Sequence, residues 1–436
     1  MRLPKRYQFL TIGSLLGLAL GFGLGLFDHG AQTPTFGAVM APLVKVEHLW
    51  IDILRIIVYP LIVSYMVIAV AAAAKTRVSG KVGGVAIVTH IALLIVTAAF
   101  TVTIGPTVLR LFPVSPESIE AFQRSAAAES AAAGMQAGPT AEALDTSGMG
   151  LFERIYTTLF SLDIVVVLIV TVVFALILAR VAARYRDPIL EFFRMVSRLS
   201  LLAVDGLLLF MPLVIVVVTY NVTASIGGRF AGTIVYWLVL ICSMLIVATL
   251  GVYLAVAAVG GVRMKDFARA MLPVQALAIA SRSSLICLPK LLDAGAKTLK
   301  LPEHVNGIVL PLSVSTFKLN RMVSTPLNLF FLVHLYGINL DWAIAASLVF
   351  TAMILSFATP GIPSGGKFTT LPIYLAAGVP VEGVVLLKAV DAIPDLFKTI
   401  INVTEDLGVA TITARFVPGA DAAVVTAAEP VRVTAR

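Results

Sequence analysis

Charge is what this 436-residue sequence has little of: Asp, Glu, Lys and Arg make up 13% of it, against roughly 25% in an ordinary soluble domain. A soluble fold needs a polar surface, so this deficit, with 59% hydrophobic residues and a mean hydropathy of +0.99, excludes one. Cysteine is scarce as well. Cys242 and Cys287 both lie in apolar surroundings, which leaves neither a disulfide framework nor a Cys-based metal site. No H-E-x-x-H or comparable ligand spacing occurs, and no nucleophile–base pair stands out. The expectation is therefore a protein that is not an enzyme and holds neither metal nor cofactor. The formal net charge of +8 does not argue for nucleic acid, because the basic residues cluster in short loops between apolar segments, where they set orientation.

What is present is apolar length. Runs near 8–27, 42–74, 82–110, 151–183, 189–220 and 229–260 reach the roughly 20 residues that span a bilayer, and predict an all-α polytopic membrane protein. The first run, behind Arg2, Lys5 and Arg6, also has the outline of a signal peptide, although no small-x-small site follows it. Residues 113–150, with Glu117, Glu120, Glu129, Glu142 and Asp145 and no apolar periodicity, read as a long exposed loop. The N-terminus and the loops at Lys75/Arg77/Lys81, Arg180/Arg184/Arg186 and Arg263/Lys265/Arg269 are basic after every second crossing. That alternation places both termini in the cytoplasm and the acidic loop outside, in a cell's plasma (inner) membrane.

Beyond residue 263 the alternation breaks. Residues 270–289 are apolar but are followed by another basic loop, Lys290, Lys297 and Lys300, and they carry Ser281-Arg282-Ser283-Ser284 in their middle. A segment that begins and ends on the basic side with a polar centre reads as a re-entrant hairpin; a kinked full span is the alternative. A seventh span follows over about 305–337. The apolar stretch 341–377 is then interrupted by Thr359-Pro360-Gly361-Ile362-Pro363-Ser364-Gly365-Gly366, which cannot continue a helix and reads as a second hairpin entering from the opposite face. A final span covers about 381–412. The total is eight transmembrane helices and two re-entrant helical hairpins, and opposed broken elements point to a transport site near the bilayer midplane.

The last span holds Lys388, Asp391, Asp395, Lys398, Glu405 and Asp406, with Thr399 and Asn402. One charge at the centre of a membrane helix costs roughly 2.5–3.5 kcal/mol, so six facing lipid is untenable. On one continuous helix at about 100° per residue, positions 388, 391, 395, 398, 402, 405 and 406 share an arc of about 100°. That face must look into protein or a polar cavity. The alternative, purely internal pairs such as Asp395–Lys398 or Lys398–Asn402, explains survival in the membrane but not the two hairpins. Lys318 and Arg321 in the seventh span would pair with Asp406 and Asp391, or snorkel to the interface. His90 and His334 read as interfacial or hydrogen-bonded core histidines rather than ligands.

These residues resemble the glutamate/aspartate transporter family, the dicarboxylate/amino acid:cation symporters. Asp391-Ala-Ile-Pro-Asp395-Leu-Phe-Lys398-Thr399-Ile-Ile-Asn402-Val-Thr-Glu-Asp406 is similar to its last-helix signature, Asp-x-x-x-Asp-x-x-Arg-Thr-x-x-Asn-Val-x-x-Asp. Ser281–Pro289, Gly361–Gly366 and Ala99–Gly105 resemble the two hairpin tips and the third helix. The resemblance implies inverted repeats, a homotrimer and an elevator mechanism. Its scaffold would be helices 1–2 (1–74) and 4–5 (151–222), with helix 3 (75–112) and residues 223–416 forming the transport domain. The extracellular loop (113–150) and a cytoplasmic tail (417–436) complete the chain. The second hairpin would act as the outer gate. By position, Asp395 would accept the substrate's amino group, and Thr399 and Asn402 would hold its α-carboxylate and amino region. Ser283, Ser284, Thr316, Gly361 and Pro363 would contribute at the hairpin tips and the seventh helix. Lys398 would meet a distal carboxylate, and Asp406 with Asn402 would supply a cation site, with Thr97, Lys318 and Asp391 as further cation or gating residues.

Departures from that pattern bear on the coupling ion. Where the family's seventh helix is broken by Asn-Met-Asp-Gly-Thr, this chain has Thr316-Phe317-Lys318-Leu319-Asn320-Arg321-Met322, without acid or glycine. A third-helix tyrosine corresponds to Leu94, though Thr97 is kept, and a hairpin-tip serine corresponds to Leu285. Sodium sites are thus expected to be partly lost, Lys318 filling the space of a sodium ion, with coupling to protons or to nothing. The reading is a secondary transporter of a small amino acid or dicarboxylate, acidic substrates favoured. An anion-conducting channel or a non-transporting substrate sensor of the same fold is the alternative.

Overall fold

The computed structural model describes residues 5–29, 35–75, 80–111, a few positions between 114 and 120, 164–356 and 370–417. Among the described residues the protein is helical throughout, with no strand. In chain order the helices are α1 (Lys5–Asp28), α2 (Gly37–Lys75), α3 (Gly80–Leu111), α4 (Ile164–Arg180), α5 (Ala183–Leu207), α6 (Met211–Ile226) and α7 (Arg229–Val259). They are followed by α8 (Met264–Ser281), α9 (Ser284–Asp293), α10 (Glu303–Thr316), α11 (Asn320–Tyr336), α12 (Trp342–Ser356), α13 (Leu371–Ala376), α14 (Val381–Ala389) and α15 (Pro394–Phe416). Lys81–Leu111 and Phe230–Val259 are long and apolar enough to cross a membrane, with mean hydropathies of 2.4 and 2.5. Large apolar side chains face outward along several helices, Leu16, Val96, Leu202 and Leu254 among them, each more than half exposed. Such surface is untenable in water and suits lipid.

Within the described residues, helices occupy the apolar runs read from the sequence, with three differences. The fifth, anticipated as one run over 189–220, is divided into α5 and α6 by a 3-10 turn at Leu208–Phe210. Pro212 sits at the start of α6 and supplies no N–H to continue the α ladder from α5. The seventh is broken between α10 and α11, where Phe317 is extended (φ −104°, ψ 142°). The last is two helices, α14 and α15, separated at Val390–Ile393. Pro394 opens α15, a position where a missing N–H is tolerated but not one from which the preceding helix can run on. Lys388 and Asp391 are therefore not on the same continuous helix as Asp395–Asp406, and the single-helix arc is replaced by a helix plus the turn before it.

The interruption at Ser281–Ser284 is found as anticipated. Ser281 ends α8, Arg282 takes a left-handed conformation (φ 50°), Ser283 is extended (φ −145°, ψ 116°), and Ser284 starts α9. The two arms pack on one another and both on α15. The Thr359–Gly366 interruption, including Gly361 and Pro363, lies outside the described residues.

Packing falls around two axes. On one, α1 lies along α6 with glycines facing it every fourth residue. A Cβ at Gly17, Gly21 or Gly25 would sit 2.5, 2.4 or 2.7 Å from the backbone oxygens of Pro212, Val216 and Tyr220. Lipid gives helices no hydrophobic reason to associate, so close backbone approach supplies the attraction. Beyond the stripe, the Asp28 carboxylate accepts the Tyr220 hydroxyl (2.7 Å) and the Phe36 N–H (2.8 Å). The other axis is α15, which packs against α3, α7, α8, α9, α10 and α11 and is buried over most of its length.

Candidate functional site

Because α15 is enclosed by other helices, its polar side chains are held away from lipid. Lys398 is 7% exposed, Asn402 4%, and Glu405 and Asp406 0%. A buried charge without a partner is costly, so the partners define the site.

At the start of α15, the Lys398 ammonium donates to Asp391 in the α14–α15 turn, and Lys388 Nζ lies 4.0 Å from the same carboxylate. The bonded partner is Asp391, which was not among the internal pairs anticipated for Lys398, and Asp395 lies within electrostatic range of the same ammonium. An ammonium has three donors, so the bond to Asp391 leaves capacity for a second anion. Asp395 and Thr399 occupy the first turns, the Thr399 hydroxyl donating back to the Asp395 carbonyl at 2.9 Å.

One turn further on, α15 meets the break in the seventh span. The Asn402 side-chain oxygen accepts the Asn320 N–H at 3.0 Å, and Glu405 Oε2 accepts the Leu319 N–H at 3.2 Å. From the far side, the Ser356 hydroxyl at the end of α12 takes the Lys318 N–H (3.3 Å) and donates to the Lys318 carbonyl (2.8 Å). Three consecutive backbone N–H groups are thus bound by side chains of two other helices. Nothing in the sequence singled out Asn320 within its seventh-span stretch, or Ser356, as a binding residue, since neither carries a charge that stands out in an apolar run.

Glu405 has a second role. Its Oε1 lies 2.7 Å from Nδ1 of His90 on α3, and His90 Nε2 lies 2.8 Å from the Ser313 hydroxyl on α10. The imidazole also stacks on Phe317, ring centroids 3.8 Å apart at 9°. His90 is accordingly a hydrogen-bonded core histidine. His334 is not partnered in the same way, its Nε2 being buried without a hydrogen bond among the described residues.

Lys318 was expected to pair with Asp406. Its Nζ instead donates to the Val314 carbonyl at 2.6 Å, closing the last turn of α10, while both Asp406 carboxylate oxygens lack a hydrogen bond among the described residues. The two groups remain within electrostatic reach of each other, with Glu405 and Arg321 also in range. Among the described residues no set of three or more His, Cys, Asp and Glu forms a metal cluster.

Of the remaining candidates, Ser283 and Ser284 are buried at the tip between α8 and α9, 3% and 4% exposed. Ser281 Oγ accepts the Ser283 N–H at 3.4 Å. The first arm of that hairpin is fixed to α15 by Gln275, whose amide donates to Thr404 (3.0 Å) and to the Tyr253 hydroxyl (3.0 Å). Thr316 ends α10 beside the extended Phe317. Thr97 is buried on α3, its carbonyl accepting the Thr101 hydroxyl at 3.0 Å.

Residues 10–416 match the profile of the sodium:dicarboxylate symporter family. The proton/sodium-glutamate symport protein of Bacillus subtilis (strain 168) is 25% identical over 425 residues, 94% of each chain. The proton/glutamate-aspartate symporter of Escherichia coli (strain K12) is 21% identical over 397 residues, 89% of this chain and 88% of that one. The neutral amino acid transporter B(0) of Mus musculus is 28% identical over 131 residues, 30% of this chain and 24% of its own.

Proposed function

The chain belongs to the sodium:dicarboxylate symporter family, integral membrane transporters rather than enzymes, whose chemistry rests on a coupling ion and not a cofactor; from that premise we propose that it carries a small acidic amino acid or dicarboxylate across the membrane. The observation that carries the proposal is the burial of Lys398, Thr399 and Asn402 on α15, with Asp395 partly buried in its first turn, on a helix that packs against both arms of the α8–α9 hairpin and both helices flanking the seventh-span break. Asp395 receives the substrate's ammonium group. Thr399 and Asn402, with the backbone at Ser283 and Ser284, take the α-carboxylate. Thr316 contributes from the end of α10, and the sequence resemblance assigns Gly361 and Pro363 a substrate-binding role as well. Lys398, already steadied by Asp391, offers its remaining donors to a distal carboxylate as a point charge rather than a bidentate fork.

For the coupling ion, Lys318 serves as a built-in counter-charge to Asp406, in place of a sodium ion, which leaves protons or no ion at all to accompany substrate. The architecture is eight spans and two re-entrant hairpins, α8–α9 being the first, with α3 and α7–α15 moving as the transport domain of a trimer against α1, α2, α4, α5 and α6. Both termini are cytoplasmic.

Uptake of radiolabelled L-aspartate and L-glutamate into proteoliposomes, in sodium and in choline buffers at matched pH, tests this reading. Saturable uptake in choline is expected. Uptake that climbs steeply with sodium defeats the role given to Lys318, while saturable binding without flux would make the protein a sensor and conductance without substrate a channel.

A further inference from the structure

The Lys318–Asn320 break is unusual in how it is held. Without glycine to permit the break or an aspartate of its own to fix it, the segment has each of its N–H groups on a side chain from elsewhere: Ser356 of α12, then Glu405 and Asn402 of α15. Its carbonyls are engaged as well. Lys318 O accepts the Ser356 hydroxyl and the Arg321 N–H (3.2 Å), and Leu319 O accepts the Met322 N–H (2.9 Å). Of these anchors, Glu405 alone reaches a third element, because its other oxygen is bound to His90 of α3, which in turn is fixed by Ser313 and by stacking on Phe317.

We propose that His90 and Glu405 are positioning residues for substrate binding. They brace the break so that Asn402, which holds the next residue of the break, presents its amide correctly, and so that α12, which carries Ser356, is registered against the same three residues. The link is short: Asn402 holds Asn320, Glu405 holds Leu319 and Ser356 holds Lys318, so a displacement of one backbone residue moves the other two. A bidentate, fully buried carboxylate shared between α3 and the break is more than packing requires. A leucine at 405 would fill the same space without leaving a charge to be satisfied. Neither residue touches the substrate in this scheme, and the inference rests on the substrate site proposed above.

The experiment uses the full chain purified in detergent, with L-aspartate and L-glutamate affinities from calorimetry and melting temperatures recorded in parallel. Glu405→Ala removes both bonds and is expected to weaken substrate affinity about tenfold, or 1.4 kcal/mol. Glu405→Gln keeps an acceptor for Leu319 N–H and offers a donor to His90 Nδ1, which accepts it once the imidazole carries its proton on Nε2, facing the Ser313 hydroxyl. It is expected to recover affinity to within about threefold of the parent protein. Ser356→Ala, a milder change that tests the link where Glu405→Ala does not yield folded protein, is expected to weaken affinity in the same direction. A merely structural role would lower the melting temperature of these variants and leave affinity alone. Unchanged affinity in Glu405→Ala or in Ser356→Ala, or a Glu405→Gln protein no better than the alanine variant, overturns the inference while leaving the transport reading intact. A parent protein that binds neither acidic substrate overturns both.

Discussion

The ammonium of Lys398, in the first turns of α15, is bonded to the carboxylate of Asp391, in the turn that precedes that helix, and both groups are more than nine-tenths buried. The bond joins the inter-helix turn to the first turns of α15, so it fixes the entry of α15 as well as the position of the cation. It also keeps Lys388 and Lys398 from facing one another unscreened, since Lys388 Nζ is 4.0 Å from the same acid.

Asp391→Asn should therefore be costly. Removing one partner of a buried pair leaves an uncompensated charge, typically about 3–5 kcal/mol. A thermal melt of Asp391→Asn, Lys398→Ala and the double variant forms a cycle. The double variant is expected to melt above the sum of the single losses, and strict additivity would show that the pair does not act as one.

Lys398→Ala is expected to abolish binding of acidic substrates and to spare neutral amino acids, because the distal carboxylate is the only substrate group that the ammonium is assigned to meet. Calorimetric titration of the variant with L-aspartate and with a neutral amino acid checks it, and unchanged aspartate affinity refutes the role.

With Lys318→Met, the two oxygens of Asp406, unbonded among the described residues, lose their nearby counter-charge. The variant is expected to melt at a higher temperature in sodium chloride than in choline chloride, by recruiting a cation that the parent protein does not need. The parent should show no such difference, and Lys318→Met/Asp406→Asn should lose it again.

Gly21→Ala places a Cβ 2.4 Å from the Val216 carbonyl oxygen, whereas Gly23, two residues on, has nothing within 4 Å. The first substitution should destabilise by about 1–3 kcal/mol, and Gly23→Ala should be neutral or slightly stabilising. Fluorescence-detected melting of the two, compared directly, separates interface packing from any general effect of alanine in this helix.

How far residues speak for themselves depended here on the range of the interaction. The helical, lipid-facing character follows from hydropathy, and the α8–α9 turn is visible as Ser281–Ser284 because a polar cluster inside an apolar run has a local cause. The enclosure of α15 is visible too, since charges in a span must be sheltered. The break at Val390–Ile393 was hidden by the very regularity of the stripe, in which Lys388 and Asp391 fit the helical period by coincidence while Pro394 opens a new helix. The His90–Glu405 contact joins residues 315 positions apart, and nothing in the spacing of either announces the other. Lys318 was placed near Asp406, but its choice of the Val314 carbonyl is local helix capping, which a search for opposite charges overlooks.

The contact of α1 with α6 has a mechanical corollary. Where Gly17, Gly21 and Gly25 let one backbone rest on the carbonyls of another, no side-chain layer lies between them to repack, rotate or absorb a shift. Such a joint is stiff in compression and in shear, and with Asp28 locking its far end to Tyr220 the two helices are tied into a single strut, bent or tilted only as a pair.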